Sequence, residues 1–105
     1  MTRGEIYRIK LPARAGREQR GARFGVIVQA DELLPLSTVI VAPTSTRALP
    51  ATFRPVIEIA GEATRVMVEQ LRAVDVERLG RLAGRLEAEE QAAVDDALEL
   101  VLALR

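Results

Sequence analysis

Two segments of the chain contain the residues best suited to chemistry. A basic segment from residue 12 to residue 25 carries Arg14, Arg17, Arg20 and Arg23. A run of hydroxyl side chains follows a β-branched segment and comprises Thr44, Ser45 and Thr46. The chain has no Cys and no His, which excludes Ser–His and Cys–His nucleophilic pairs, paired-His ribonuclease chemistry and zinc sites built on thiolate or imidazole. Catalysis must therefore use arginine, carboxylate, hydroxyl and amide groups.

The formal net charge is zero, because Lys and Arg together number 15 and so do Asp and Glu. Basic residues are nevertheless in excess up to residue 60, and acidic residues are in excess beyond it. Every basic residue except Lys10 is Arg, whose planar guanidinium suits bidentate contact with phosphate or carboxylate. The codon usage of a GC-rich genome would produce the same bias. A zero net charge therefore hides a dipolar chain that can still present a basic surface.

Length and composition predict one small globular domain, residues 1–105. A chain of 105 residues with 49% apolar and 29% charged residues matches an ordinary folded domain. Its site must lie on one small scaffold or be shared between subunits. The first ten residues carry four charges and no apolar signal core, and nowhere do 18 apolar residues run together. We expect a cytoplasmic protein that does not enter the membrane.

Hydrophobic patterning predicts a β-rich first half. Alternation and β-branched runs favour strands at about Glu5–Leu11, at Phe24–Gln29 and at Thr38–Ala42, the last ended by Pro43. Residues 31–37 contain Pro35 and indicate a turn. A hairpin is predicted from Val56–Ile59 and Arg65–Val68, with its turn at Gly61.

The second half is ambiguous until its last segment. Leucines between Leu71 and Leu86 recur at nearly helical spacing, but Gly80 and Gly84 interrupt them and each costs a helix about 1 kcal/mol relative to Ala. From Glu87 onward, acidic residues precede an apolar stripe of Val94, Ala97, Leu98, Val101 and Leu102, which predicts a terminal amphipathic helix. The expected fold is α+β, a small curved barrel-like sheet with one helix packed on it.

Five segments of the chain form a recognisable series. They are Arg3-Gly4-Glu5-Ile6-Tyr7, then residues 16–23 (Gly-Arg-Glu-Gln-Arg-Gly-Ala-Arg), residues 41–46 (Val-Ala-Pro-Thr-Ser-Thr), Glu69-Gln70-Leu71-Arg72, and residues 94–98 in the predicted helix. Together they resemble the MazF/PemK family of bacterial toxin endoribonucleases. Their order and spacing are kept along essentially the whole chain. The chain departs from the family pattern at Phe24, where Pro is usual, and at Ser45, where the catalytic hydroxyl is commonly Thr.

The resemblance implies an SH3-like β-barrel of the CcdB/MazF type with a C-terminal helix, and it makes residues 80–86 a strand. It implies the toxin of a type II toxin–antitoxin system that forms a homodimer. Its partner would be a small MazE-like antitoxin whose acidic segment occupies a basic groove. The expected activity is sequence-specific cleavage of single-stranded RNA, without metal or other cofactor.

Cleavage of RNA by its own 2′-OH needs a proton acceptor, stabilisation of the charged phosphorane, and a hydrogen bond or proton for the leaving 5′-oxygen. Arg23 can donate two hydrogen bonds to the non-bridging oxygens of the phosphate. It is a poor base, since deprotonating Arg at pH 7 costs roughly 7 to 9 kcal/mol. Glu18 is the preferred acceptor, although it could instead form an ion pair with Arg17 or Arg20. Ser45 or Thr44 would hydrogen-bond the scissile phosphate, and the sequence leaves open which hydroxyl acts.

The predicted RNA contacts are arginines, amides and a hydroxyl, because aromatic residues make up only 3% of the chain and are expected in the core. These contacts are Arg17, Gln19, Arg20, Thr46, Arg47, Gln70 and Arg72. Gln70 and Arg72 could equally form a buried structural pair. Two other functions stay open: a non-enzymatic gyrase inhibitor related to CcdB, and a catalytically inactive binding module.

Overall fold

A computed structural model describes residues 1–10 and 23–104 of the chain. In this part of the chain, seven strands precede one α-helix. The strands are β1 (Glu5–Ile9), β2 (Phe24–Ile27), β3 (Thr38–Ser45), β4 (Val56–Ile59), β5 (Glu62–Val66), β6 (Arg72–Asp75) and β7 (Leu79–Arg85), and helix α1 is Ala88–Val101. Single 3₁₀ turns lie at Asp31–Leu33, Val68–Gln70 and Val76–Arg78.

All strand pairings are antiparallel and form one curled sheet in the order β4-β5-β3-β2-β1-β7, with β6 paired to β3. The predicted class, α+β with a small curved sheet and a C-terminal helix, is confirmed. The sheet is a half-barrel whose two faces each carry apolar side chains. The larger core joins the sheet to α1 through Val94 and Ala97, while Val39 and Val41 of β3 belong to a smaller core. We call the face of the sheet that carries Val39 and Val41 the site face.

The prediction that Pro43 ends the third strand is wrong, because β3 continues through Pro43 to Ser45. Pro43 accepts a hydrogen bond from Met67 N at 2.8 Å, so its backbone polar groups face the edge on which β6 and β5 lie. Pairing with β6 stops at Val41, and pairing with β5 starts at Thr44. The missing N–H of proline therefore falls between two partner strands, where the ladder does not use it.

The other strand boundaries differ in ways that have local causes. The hairpin of β4 and β5 turns through Ala60 and Gly61, both with positive φ, so β5 begins at Glu62 rather than at Arg65. Glu69 and Gln70 of the family motif lie in a 3₁₀ turn, and strand β6 begins only at Arg72. The family resemblance was correct about residues 80–86, since β7 spans Leu79–Arg85 and pairs with β1. The first strand ends at Ile9 and the second at Ile27, both shorter than predicted.

Helix α1 begins where the acidic residues predicted it. Glu87 is the N-cap and forms a capping box with Glu90, whose side chain accepts from the backbone N of Glu87 at 2.8 Å. The second oxygen of Glu90 accepts from Glu58 N on β4 at 2.9 Å. The same carboxylate therefore caps the helix and attaches it to the sheet.

The N-terminal Arg3-Gly4-Glu5 segment connects the helix to the sheet. Arg3 binds Asp95 of α1 at 2.8 Å and donates from Nε to Val28 O at 2.9 Å. Gly4 has a φ of +90°, and a Cβ at this position would lie 2.5 Å from the Gln91 side-chain oxygen. The backbone conformation therefore favours glycine here, and a larger residue would in addition require the Gln91 side chain to move.

Glu5 is a carboxylate with only 8% of its surface exposed. It accepts hydrogen bonds from Thr2 N at 2.8 Å, Tyr7 OH at 2.9 Å and Arg85 Nη2 at 2.9 Å. Burial raises the pKa of the Glu5 carboxyl, but the hydrogen bonds from Thr2 and Tyr7, helped by the positive charges of the N-terminus and Arg85, lower the pKa below its ordinary value overall. The ionised form of Glu5 is thus the one that stabilises the fold.

We predict that Glu5→Gln lowers the free energy of unfolding at pH 7 by about 1 to 3 kcal/mol, because a neutral amide is a weaker acceptor and turns its N–H groups toward Arg85. The folded-state pKa is lowered, so the stabilisation is complete above the unfolded pKa of about 4.3 and is lost as the pH falls through the folded value. Urea unfolding from pH 7 to pH 3 should show the parent and variant curves converging at acidic pH. The control Glu62→Gln removes an exposed carboxylate of β5. A constant gap between parent and Glu5→Gln at all pH values would contradict this account.

Candidate functional site

The register of β2 against β3 brings Arg23 level with Ser45. Gly25 pairs with Pro43 and Val26 with Ala42, so carrying the same antiparallel register two residues further sets Arg23 opposite Ser45. The backbone of Arg23 is held by β1, because Arg23 O accepts from Ile9 N at 2.8 Å. Phe24, which replaces the proline of the family pattern, pairs with Arg8 and packs against the larger core. Strand pairing and packing therefore position the backbone here without a proline.

Thr44 and Ser45 lie on opposite faces of β3, because successive residues of a strand alternate. Thr44 is 4% exposed and pairs with Val66, a member of the larger core. Ser45 is half-buried on the site face, and its Oγ accepts from Arg47 N at 3.1 Å. Of the two adjacent hydroxyls, only that of Ser45 is on the face to which the register assigns Arg23.

Arg65 is a third polar residue beside Ser45, and it belongs to none of the sequence motifs. It pairs with Ser45 on one side and Val56 on the other, so its side chain shares their face of the sheet. Its Nη1 donates to Arg54 O at 2.9 Å. In the sequence, Arg65 stands between Thr64 and Val66, and this alternation indicates that Arg65 faces away from the larger core. The alternation does not reveal that Arg65 lies opposite Ser45 of β3.

Arg54 and Glu69 form an ion pair that supports the segment before β4. Arg54 donates to Glu69 Oε2 from Nη2 at 2.7 Å and from Nε at 3.0 Å, and its guanidinium lies 5.4 Å from the centre of the Phe53 ring. Burial raises the pKa of Glu69, but the hydrogen bonds from Arg54 and its positive charge outweigh this effect and lower the pKa below its ordinary value. Glu69 therefore stays ionised and neutralises Arg54.

The predicted RNA contacts among the described residues are all at the surface. Thr46 and Arg47 form the exposed turn after β3, and Gln70 and Arg72 are also exposed. The alternative that Gln70 and Arg72 form a buried pair is therefore wrong. Arg72 pairs with Val41, which puts it on the site face as well. Arg17, Glu18, Gln19 and Arg20, with Arg14, lie outside the described residues.

The ion pairs found in the described part of the chain leave Arg47 and the arginines of the site face uncompensated. Carboxylates within 4 Å neutralise Arg3, Arg54 and Arg85. No carboxylate of residues 1–10 or 23–104 pairs with Arg23, Arg47, Arg65 or Arg72. Positive charge is thus concentrated around Ser45, although the whole chain is neutral.

The aromatic side chains all pack against a core. Tyr7 contacts the smaller core, and Phe24 and Phe53 contact the larger one. Within the described residues, no three acidic side chains come together as a metal site would require. In the same part of the chain, no helix is long and apolar enough to cross a membrane. The site face presents guanidinium groups and a hydroxyl, which are hydrogen-bond donors suited to binding an anionic ligand.

Comparisons with known proteins agree with this arrangement. The family model for PemK-like, MazF-like toxins of type II toxin–antitoxin systems matches residues 2–102. A candidate toxin of Mycobacterium tuberculosis is 38% identical over 104 residues, covering 97% of both chains. Endoribonuclease MazF9 of the same organism is 32% identical over 115 residues, covering 99% of this chain and 98% of the relative. An endoribonuclease from a mycobacterial species, solved in complex with its cognate antitoxin, has the same fold with a TM-score of 0.83 and 18% identity, covering 100% of this chain and 97% of that one.

Proposed function

Because the chain belongs to the PemK-like, MazF-like toxins of type II toxin–antitoxin systems, we propose that it is an endoribonuclease that cleaves single-stranded RNA in the cytoplasm. The whole chain acts as one toxin domain. The observation that carries the proposal is the alignment of Arg23 with Ser45 across β2 and β3, on a face whose arginines lack carboxylate partners among the described residues. An uncompensated arginine beside a hydroxyl matches what a charged phosphorane needs.

In the proposed reaction, the 2′-oxygen of one nucleotide attacks the adjacent phosphorus while its proton passes to a base. The P–O5′ bond then breaks, and the 5′-oxygen leaves and takes up a proton. The products are a 2′,3′-cyclic phosphate and a 5′-OH. Since the nucleophile belongs to the substrate, the reaction needs no metal-bound water.

Each site residue has one proposed role in this reaction. Arg23 donates two parallel hydrogen bonds to the non-bridging oxygens and offsets the negative charge that develops on them. Ser45 donates its hydroxyl to an oxygen of the same phosphate, which requires its proton to point to the RNA while its oxygen accepts from Arg47 N. Glu18 takes the proton of the 2′-OH, a role that rests on the family motif alone.

The remaining contacts bind the RNA strand on either side of the cut. Exposed Arg47 and Arg72 bind phosphates, while Thr46 and Gln70 hydrogen-bond base edges. Arg17, Gln19 and Arg20 are assigned to RNA binding from the motif. Because the aromatic rings pack against the cores, sequence selection depends on hydrogen bonds rather than on base stacking.

We propose a homodimer and a small antitoxin as the protein partners. A relative with the same fold was solved with its cognate antitoxin. An acidic antitoxin segment would be attracted to the arginines of the site face for the same electrostatic reason as RNA. Occupation of that face by the segment would exclude the substrate.

The experiment that tests this function is incubation of the purified protein with a long RNA in EDTA. Discrete cuts with 2′,3′-cyclic phosphate and 5′-OH ends are expected. We predict that replacing the nucleotide 5′ to the cut by its 2′-deoxy form abolishes cleavage at that site, because the nucleophile is removed. Cleavage of the substituted strand would show that an external nucleophile is used, and inhibition of gyrase supercoiling without RNA cuts would favour the non-enzymatic alternative.

We predict that Arg23→Ala abolishes detectable cleavage, a loss of at least about 10³-fold, with little change in thermal stability. The Arg23 side chain makes no hydrogen bond or ion pair with any described residue, so its removal should not disturb the sheet. Arg23→Lys should also lose most of the activity, because an ammonium group cannot make two parallel hydrogen bonds. Single-turnover rates measure both effects, and parental rates for Arg23→Ala would disprove the assignment.

We predict that Ser45→Ala lowers the single-turnover rate by about 10² to 10³, the range for removal of one donor to a charged transition state. Ser45→Thr should preserve activity, since both residues carry a hydroxyl on Cβ. Thr44→Ala serves as the matched control, because it removes a buried hydroxyl and methyl group and should cost about 1 kcal/mol of stability rather than rate. Thr46→Ala should cost less than Ser45→Ala. A large rate loss at Thr44 with none at Ser45 would place the catalytic hydroxyl one residue earlier.

A further inference from the structure

Arg65 lies at the centre of the three-strand row that contains Ser45. It pairs with Ser45 of β3 and with Val56 of β4, and all three share one face of the sheet. Side chains directly opposite each other in an antiparallel pair have Cβ atoms about 4.5 to 5.5 Å apart. Arg23 and Arg65 therefore flank Ser45 from its two neighbouring strands, one on each side.

The guanidinium of Arg65 has unused capacity to bind an anion. It is half-buried, and its single hydrogen bond to a described residue runs from Nη1 to Arg54 O. A guanidinium has five N–H donors. No carboxylate among residues 1–10 and 23–104 lies within ion-pair distance of it. A partly buried cation with free donors and no counter-ion binds phosphate more strongly than a fully solvated one.

Arg54, its neighbour, is unsuited to the same role but holds Arg65 in place. Three of its nitrogens are engaged, two by Glu69 and one by Leu49 O at 3.1 Å, and its charge is neutralised. These bonds fix the backbone carbonyl that accepts from Arg65. The Arg65 guanidinium is therefore pre-positioned, so that less side-chain entropy is lost when a ligand binds.

The hydrogen bond from Arg65 to Arg54 O also indicates which phosphate Arg65 can reach. Arg54 precedes β4, and β4 lies on the side of β5 away from Ser45. The guanidinium thus leans away from the Arg23–Ser45 pair. Two strand spacings, about 10 Å, separate the backbones of Arg23 and Arg65.

We propose that Arg65 is a further phosphate-binding residue of the site and holds the phosphate next to the scissile one. The proposal rests on the RNA cleavage proposed above. It makes Arg65 a binding residue that secures the strand while Arg23 and Ser45 act on the adjacent phosphodiester. The predicted effect of its loss is weaker RNA binding with little change in the chemical step.

The test uses a short RNA that the protein cuts, made non-cleavable by a 2′-deoxy residue at the cut, and measures its Kd by fluorescence anisotropy at several salt concentrations. Arg65→Gln should weaken binding about tenfold and reduce the slope of log Kd against log salt by about 0.7, the value for one phosphate contact on a single strand. Arg65→Lys should recover part of the affinity. The matched control Arg81→Gln removes an exposed arginine of β7, which three strands separate from β5 in the sheet order, and should change the Kd less than threefold.

A second arm identifies the phosphate. Two RNAs carry one neutral methylphosphonate each, on the 5′ or the 3′ side of the scissile phosphate. At one of these positions the substitution should weaken binding of the parent about tenfold and that of Arg65→Gln hardly at all. A purely structural role of Arg65 would instead give additive losses at both positions and an unchanged salt slope, and that result overturns the proposal.

Failure of this inference is distinguishable from failure of the proposed function. If the parent cleaves RNA in EDTA and Arg65→Gln keeps the parental Kd and salt slope, then Arg65 does not bind the RNA. That result overturns the inference about Arg65 but not the proposed endoribonuclease activity. A parent that cuts no RNA overturns both. In single-turnover reactions at saturating protein, Arg65→Gln should cleave within about threefold of the parental rate, whereas a hundredfold loss would assign Arg65 to the chemical step instead.

Discussion

Strand β3 must satisfy backbone hydrogen bonds along both of its edges, and the rest of the molecule is arranged around that constraint. One edge pairs with β2, and the other pairs first with β6 and then with β5. Pro43 lies where the second edge changes partner, which is the point at which a residue without an N–H is tolerated. Because β3 stays extended beyond Pro43, Thr44 enters the larger core and Ser45 remains on the site face between Arg23 and Arg65.

The arginines fall into two groups with different roles, which the net charge of zero does not reveal. Arginines that hold the fold together have carboxylate partners: Arg3 has Asp95, Arg54 has Glu69, and Arg85 has Glu5. The arginines of the site face have none among the described residues. A domain can therefore be neutral overall, which limits repulsion in the folded state, and still present concentrated positive charge to a phosphate.

The family motifs divide in the same way between structure and chemistry. The Arg3-Gly4-Glu5 segment serves the fold, because its charged side chains bind α1, β7 and the backbone oxygen of Val28. Arg23 and Ser45 do the opposite, because strand pairing holds their backbones while their side chains are not used by the fold. Both kinds of motif identify the family, but only the second kind supports a reaction. Arg65 belongs to no motif and is recognised only from its pairing.

The sequence by itself determined the elements whose signals are local. The acidic start and apolar stripe of α1, the β4–β5 hairpin with its turn at Gly61, and the exclusion of histidine and cysteine chemistry all follow from residues close together in the chain. Only the tertiary structure decided that β3 passes through Pro43, that Gln70 and Arg72 are exposed, and that Arg65 lies beside Ser45. The physical reason is that side-chain alternation is encoded within one strand, whereas register and partner exchange depend on residues far apart in sequence that meet only when the sheet forms.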